Sequence, residues 1–175
     1  MDTHLIIAAF GPDRPGLAEN LSRVISESGC DFGDSRMSVL AGDFAMIVQV
    51  SGNWSALAKL ETSLPRVAAA TGLQIDAKRS EPRNDDMSMV PYAVEVIALN
   101  RPGIVSDVTS FFSGREINIE DLYTSRYPAP HTRTPMFALH LTVGIPSELS
   151  IAVVRGEFMD FCDELNLDAM MVPVK

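Results

Sequence analysis

The residues of this chain best suited to chemistry come twice. Asp13-Arg14-Pro15-Gly16-Leu17 and Asn100-Arg101-Pro102-Gly103-Ile104 lie 87 positions apart, each after an apolar strand-like run and each opening a helical stretch. A turn from strand into helix presents backbone N–H groups without acceptors inside the helix, together with the positive end of the helix dipole, and so can hold a carboxylate. Gly16 and Gly103 lack a Cβ, which lets a ligand approach the backbone closely. The oxygens of Asp13 and Asn100 can accept hydrogen bonds from an ammonium group, with charge attraction added at Asp13. The chemistry on offer is reception of a zwitterion. The same residues also fit a purely structural role, with Asp13 and Asn100 shaping the turn and capping the helix while Pro and Gly set backbone angles. Arg14 and Arg101 divide likewise between steadying a ligand carboxylate and standing as exposed loop residues.

The elements that would position these turns are themselves duplicated. At the same offset Leu21, Val24 and Ile25 align with Val108, Phe111 and Phe112, and Cys30-Asp31-Phe32-Gly33-Asp34 with Ile117-Asn118-Ile119-Glu120-Asp121. After six extra residues in the second copy, Phe44 to Val50 matches Phe137 to Val143. Similarity at one spacing over most of both halves marks a duplication. In the first copy Leu5 to Phe10 has strand length, and Pro15 suits the first helical position of a stretch that carries Leu17, Leu21, Val24 and Ile25 on one face and stops at Gly29. Residues 35–50 pattern as a hairpin around Ala41-Gly42-Asp43, with Phe44, Met46, Val48 and Val50 on one face. A second helix from Trp54 to Thr71 has Asn53 as its cap and Pro65 as an expected break or kink, with Trp54 as its anchor, and Leu73 to Ala77 makes a last strand. The second copy repeats this order. Strand, helix, strand, strand, helix, strand, twice over, predicts an α+β chain of two ferredoxin-like βαββαβ domains, each an antiparallel sheet with both helices on one face. The expected boundaries are 1–79 and 91–175, with a charged linker over 80–90. The outer sheet faces carry Ala45, Ile47 and Gln49 or Ala138, His140 and Thr142, so an apolar surface remains for a second domain or chain to cover, and a homo-oligomer is expected.

Composition excludes several classes of function. The net charge is -9, with 12 acidic against 8 basic residues in positions 1–87 and the excess continuing beyond. No basic face for nucleic acid or anionic membrane emerges from those counts, and no helix-turn-helix signal accompanies them. Cys30 and Cys162 lack metal-like spacing, as do His4, His131 and His140, so neither a metal nor a cofactor is expected. The start Met1-Asp2-Thr3-His4 has no basic leader, no apolar run approaches a membrane span, and the expectation is a soluble, unprocessed cytoplasmic protein. Catalysis finds no support, since there is no Ser/His/Asp pattern, nucleophile elbow, phosphate loop or close carboxylate pair. RNA binding on the same βαββαβ plan would need more stacking aromatics than Phe44 or Phe137. Met159, Met170 and Met171 read as core or interface filler, and Tyr127 to Pro135 as a mobile hairpin tip or, alternatively, a segment that closes over a ligand or touches a partner.

The doubled fold order, the Arg-Pro-Gly turns and the Ile117-Asn118-Ile119 step resemble ACT domains, small regulatory modules of amino-acid metabolism. A chain of this length holding two of them is similar to the glycine cleavage system transcriptional repressor family. The resemblance implies a ligand between the first strand-to-helix turn of one domain and the second strand of a neighbour. Asp13, Gly16 and Leu17 would then line one site, and Asn100, Gly103 and Ile104 another, with Asp31 and Asn118 facing a partner domain's turn. Asn100 with Asn118 fits the neutral amide pattern of amino-acid-binding ACT domains, whereas Asp13 with Asp31 departs from it. The resemblance further implies a small amino acid such as glycine as effector, and a LysR-type transcriptional activator as the protein partner in place of DNA. A ligand-free ACT interaction module regulating a metabolic enzyme is the alternative.

Overall fold

The computed structural model describes residues 3–81 and 89–174. The chain divides into two compact units, Met1–Asn84 and Asp85–Lys175, each with a hydrophobic core of its own. The first runs β1 (Thr3–Pro12), α1 (Leu17–Glu27), β2 (Asp31–Leu40), β3 (Asp43–Gly52), α2 (Trp54–Thr71) and β4 (Gln74–Ser80). The second repeats this as β5 (Met89–Leu99), α3 (Ile104–Ser113), β6 (Asn118–Pro128), β7 (Pro135–Pro146), α4 (Ile151–Glu164) and β8 (Asp168–Pro173). Each unit holds a four-stranded antiparallel sheet, ordered β2-β3-β1-β4 and β6-β7-β5-β8. This is the expected α+β plan of two ferredoxin-like folds.

Alternation decides which sheet face is covered. Leu5, Ile7 and Ala9 of β1 and Phe44, Met46, Val48 and Val50 of β3 point into the core, where Leu17, Leu21 and Ile25 of α1 and Leu57, Leu60, Leu64 and Val67 of α2 meet them. In the second unit the same positions are heavier. Phe111 and Phe112 of α3 and Phe158 of α4 form an aromatic cluster with ring centroids 5.0–5.3 Å apart. The outer faces stay open in part, with Phe10 and Ile47 about half exposed. Ala138, expected on the outer face, is buried.

Several local expectations change. Pro15 precedes the helix rather than opening it: Gly16 is the N-cap, with φ +93°, and α1 starts at Leu17. Asn53 caps α2 as expected, its side chain accepting from the Ala56 N–H at 2.8 Å. The break expected at Pro65 is absent and α2 runs through it. Pro65 is exposed, so water can satisfy the Glu61 carbonyl that loses its helical donor. Trp54 does not anchor the helix, being 73% exposed, and the Arg79 guanidinium lies 5.7 Å from its ring centre. Arg79 spends its charge on Glu61, holding that carboxyl below its ordinary range. The hairpin tip between β6 and β7 is a turn in which the Ala129 N–H donates to the Thr134 carbonyl at 2.8 Å. Of the expected linker, Ser80 ends β4, Met89 and Val90 open β5, and 82–88 lie outside the described residues, as does the start at Met1 and Asp2.

Arg14 braces the first unit. Its guanidinium donates to the Ala70 carbonyl at 3.1 Å and the Thr71 carbonyl at 2.8 Å, satisfying orphan acceptors at the C-terminus of α2, where the helix dipole favours a cation. A Cβ at Gly11 would stand 3.1 Å from the Gly72 carbonyl oxygen, so the end of β1 is pressed against this corner. Arg14→Ala is expected to cost about 1 kcal/mol, read as a Tm lowered by about 5 °C. Burial, helped by Asp163, lifts the Cys162 thiol from 9.0 to about 11. Its contribution to stability is therefore present below pH 9 and lost as pH rises through 11. A thiol reagent at neutral pH should label Cys162 only once denaturant is added, as measured by intact mass.

Candidate functional site

Both repeated turns are built the same way from the backbone. β1 and β5 end with a main-chain bond that fixes the first polar residue: the Asp13 N–H donates to the Gly42 carbonyl and the Asn100 N–H to the Pro135 carbonyl, each at 2.9 Å. Gly16 and Gly103 then take left-handed angles, φ +93° and +94°, which an L side chain rarely adopts. The first helical bonds follow, from the Asn20 N–H to the Gly16 carbonyl and from the Asp107 N–H to the Gly103 carbonyl. Neither helix has a side-chain cap. The first-turn N–H groups therefore lack an acceptor in the helix and lack a capping oxygen, which leaves them free to bind an anion. The N-cap positions are the glycines themselves, so Asp13 and Asn100 do not cap, while Gly16 and Gly103 set the backbone angles as the structural reading expects.

The eight candidate residues fall into three groups. Asp13, Gly16, Asn100 and Gly103 are exposed at the turns. Leu17 and Ile104 are 2% and 1% exposed, so their side chains belong to the cores and they can offer a ligand only backbone N–H. Asp31 and Asn118 are exposed but distant from the turns of their own units. Asp31 pairs with Ser51, which pairs with His4, while Asp13 lies beyond the other end of β1, about 30 Å away at the rise of a strand. Asn118 pairs with Gly144 and thus with Pro91, again the far end from Asn100. A β-bulge follows each, between Phe32 and Ser35 and between Ile119 and Asp121, which re-aims the strand start.

The two turns differ in what surrounds them. In the first, Arg14 is turned away to α2 and the Asn20 amide donates to the Gly16 carbonyl at 2.9 Å. In the second, Arg101 stays at the turn, donating to Asp107 at 3.0 Å and to the Pro102 carbonyl at 3.2 Å. A half-exposed guanidinium is thus held beside the N-terminus of α3, with Gly103 beneath it. The sequence pattern missed this pairing; the six-residue step from Arg101 to Asp107 was its signal. No group of three or more His, Cys, Asp or Glu side chains poised for a metal occurs among the described residues, and no helix is long and apolar enough to cross a membrane.

Comparison with known proteins agrees with this architecture. Residues 3–78 match the ACT domain family. Over 163 residues, 93% of this chain and 86% of the relative, the sequence is 31% identical to the glycine cleavage system transcriptional repressor of Escherichia coli K12. The crystal structure of a protein assigned as a glycine cleavage system transcriptional repressor superposes with TM-score 0.75 at 25% identity, covering 100% of this chain and 99% of that one. A protein of unknown function from Galdieria sulphuraria superposes with TM-score 0.81 at 27% identity, over the full length of both. With two ACT-type folds and this degree of identity across almost its whole length, the chain belongs to the glycine cleavage system transcriptional repressor family, and is a regulatory protein rather than an enzyme.

Proposed function

We propose that this protein is an amino-acid-responsive repressor of the glycine cleavage system, acting in the cytoplasm by contact with a LysR-type activator and without reading DNA itself. The observation that carries the reading is the pair of exposed, uncapped helix starts behind left-handed glycines, since such a turn offers donors to a carboxylate. A ligand carboxylate would take the N–H groups that follow Gly103, with Arg101 alongside, and its ammonium would meet the Asn100 oxygen. The absence of a Cβ at Gly103 lets a small amino acid such as glycine approach the main chain. Asp31 and Asn118 would complete such sites from another module, because each stands a strand's length from its own turn.

The second unit is the better receptor in this reading, because Arg101 remains at its turn while Arg14 is committed to the Ala70 and Thr71 carbonyls. Asp13 and Asp31 set two carboxylates where the second unit has two amides, which favours an interaction role for the first. The two roles joined in one chain make a switch only if the amino acid binds one arrangement of the protein more tightly than another.

The experiment is a thermal-shift titration with the common amino acids. Glycine at about 100 times its dissociation constant should add roughly 2.7 kcal/mol to the folded state. Asn100→Ala should abolish that shift and Asp13→Ala should leave it. Silence across the panel, or activator binding unchanged by saturating glycine, defeats the proposal.

A further inference from the structure

The helical faces of the two units have diverged more than their sheets. In the first unit α1 and α2 pack on each other, and the facing positions hold small or basic residues such as Val24, Ser28, Ser63, Arg66 and Ala70. The repeat sets Phe111, Arg115, Glu157, Asp160 and Glu164 against these in the second unit. The Phe111 and Phe161 rings lie 5.1 Å apart between α3 and α4, and residues of both helices line a groove of about 750 Å³. Its floor is aromatic and its walls are acidic, lined by Asp107, Glu157, Asp160 and Glu164.

One cation already sits in this groove. The Arg115 guanidinium lies 3.8 Å from the centre of the Phe111 ring and donates to Glu157 at 2.9 Å. It shows what the surface accepts, a positive group over an aromatic ring with a carboxylate within hydrogen-bond reach. Further along the wall, Asp160 and Glu164 stand one helical turn apart and exposed, and neither has an ion-pair partner among the described residues. Like charges at that spacing weaken an isolated helix. They flank Phe161 and Leu165, both only half-buried.

We infer that the α3–α4 groove is a docking site for a basic amphipathic helix of a partner protein. Apolar side chains of the incoming helix would cover Phe161 and Leu165, and its Lys or Arg residues would neutralise Asp160 and Glu164. The acidic wall selects against an acidic or neutral segment of the same shape. The inference rests on the protein-contact reading given above for its setting, and not for its geometry.

The test uses the whole chain and a rhodamine-labelled peptide of about 14 residues, matched to the length of α4, with Leu at helical spacing and Lys on its flanks. Fluorescence anisotropy should show saturable binding that weakens with added salt. Asp160→Lys with Glu164→Lys should weaken it by about tenfold or more, while Glu19→Lys with Glu27→Lys, exposed carboxylates on α1 of the other unit, should leave it within about twofold. Circular dichroism on both double variants is the check that each keeps the parent fold before its binding is compared. The inference falls if no saturable binding occurs up to about 1 mM peptide, if the α4 variant loses less than about tenfold, or if the α1 variant loses as much. A glycine thermal shift measured on the same α4 variant separates the two readings: its persistence keeps the sensor whatever the peptide does, and its absence in the parent chain removes the sensor and leaves the groove to the anisotropy result.

Discussion

Each unit depends on one backbone bend. At Gly16 and Gly103 the chain leaves a central strand and must turn sharply enough to lay a helix back over the same sheet, and it does so in the left-handed region. A side chain there is strained whatever space surrounds it. From this bend follow the packing of Leu17 or Ile104 into the core one residue later, and the exposure of the preceding polar residue. The uncapped N–H groups come from it as well. The exposed donors at the turn are thus a by-product of how the fold closes, and no reactive side chain is needed to create them.

The fold was legible in the sequence because hydrophobic alternation and helical spacing were repeated at one offset, so each half corroborated the other. Where backbone chemistry had a single local solution the reading held, as with Asn53 at the start of α2 and the glycine turn between β2 and β3. Where two local rules competed it failed. Pro15 and Gly16 are both helix-start residues, and the left-handed requirement of the bend settled the order. At Pro65, where a break or kink is expected, the helix is not broken, because the missing donor falls on an exposed side of a helix already secured by Leu57, Leu60, Leu64 and Val67.

Less of the candidate site was legible. The residue types at positions 13, 16, 100 and 103 stood out by repetition, but what Arg14 and Arg101 do depends on partners many residues away or across a turn. Arg14 reaches Ala70 and Thr71 through a corner formed only when α2 returns to β4. Likewise the acidic groove arises from α3 and α4 together, and neither helix carries it alone. The duplication made the architecture easy to see and concealed how far two copies of one scaffold have parted in surface chemistry.

Under the proposed reading, the double duty of Leu17 and Ile104 limits how the receptor could be tuned. Each plugs its core with a side chain and leaves only its main chain at the turn, so a substitution there disturbs the fold together with any recognition the proposal places at that turn. The glycine before it is equally immovable. Adjustment of selectivity is left to the residue at the head of the bend, whose side chain is exposed and makes no capping bond. That is the position where the halves have drifted to aspartate in one and asparagine in the other. In the proposed receptor, a change of effector would fall first on that position.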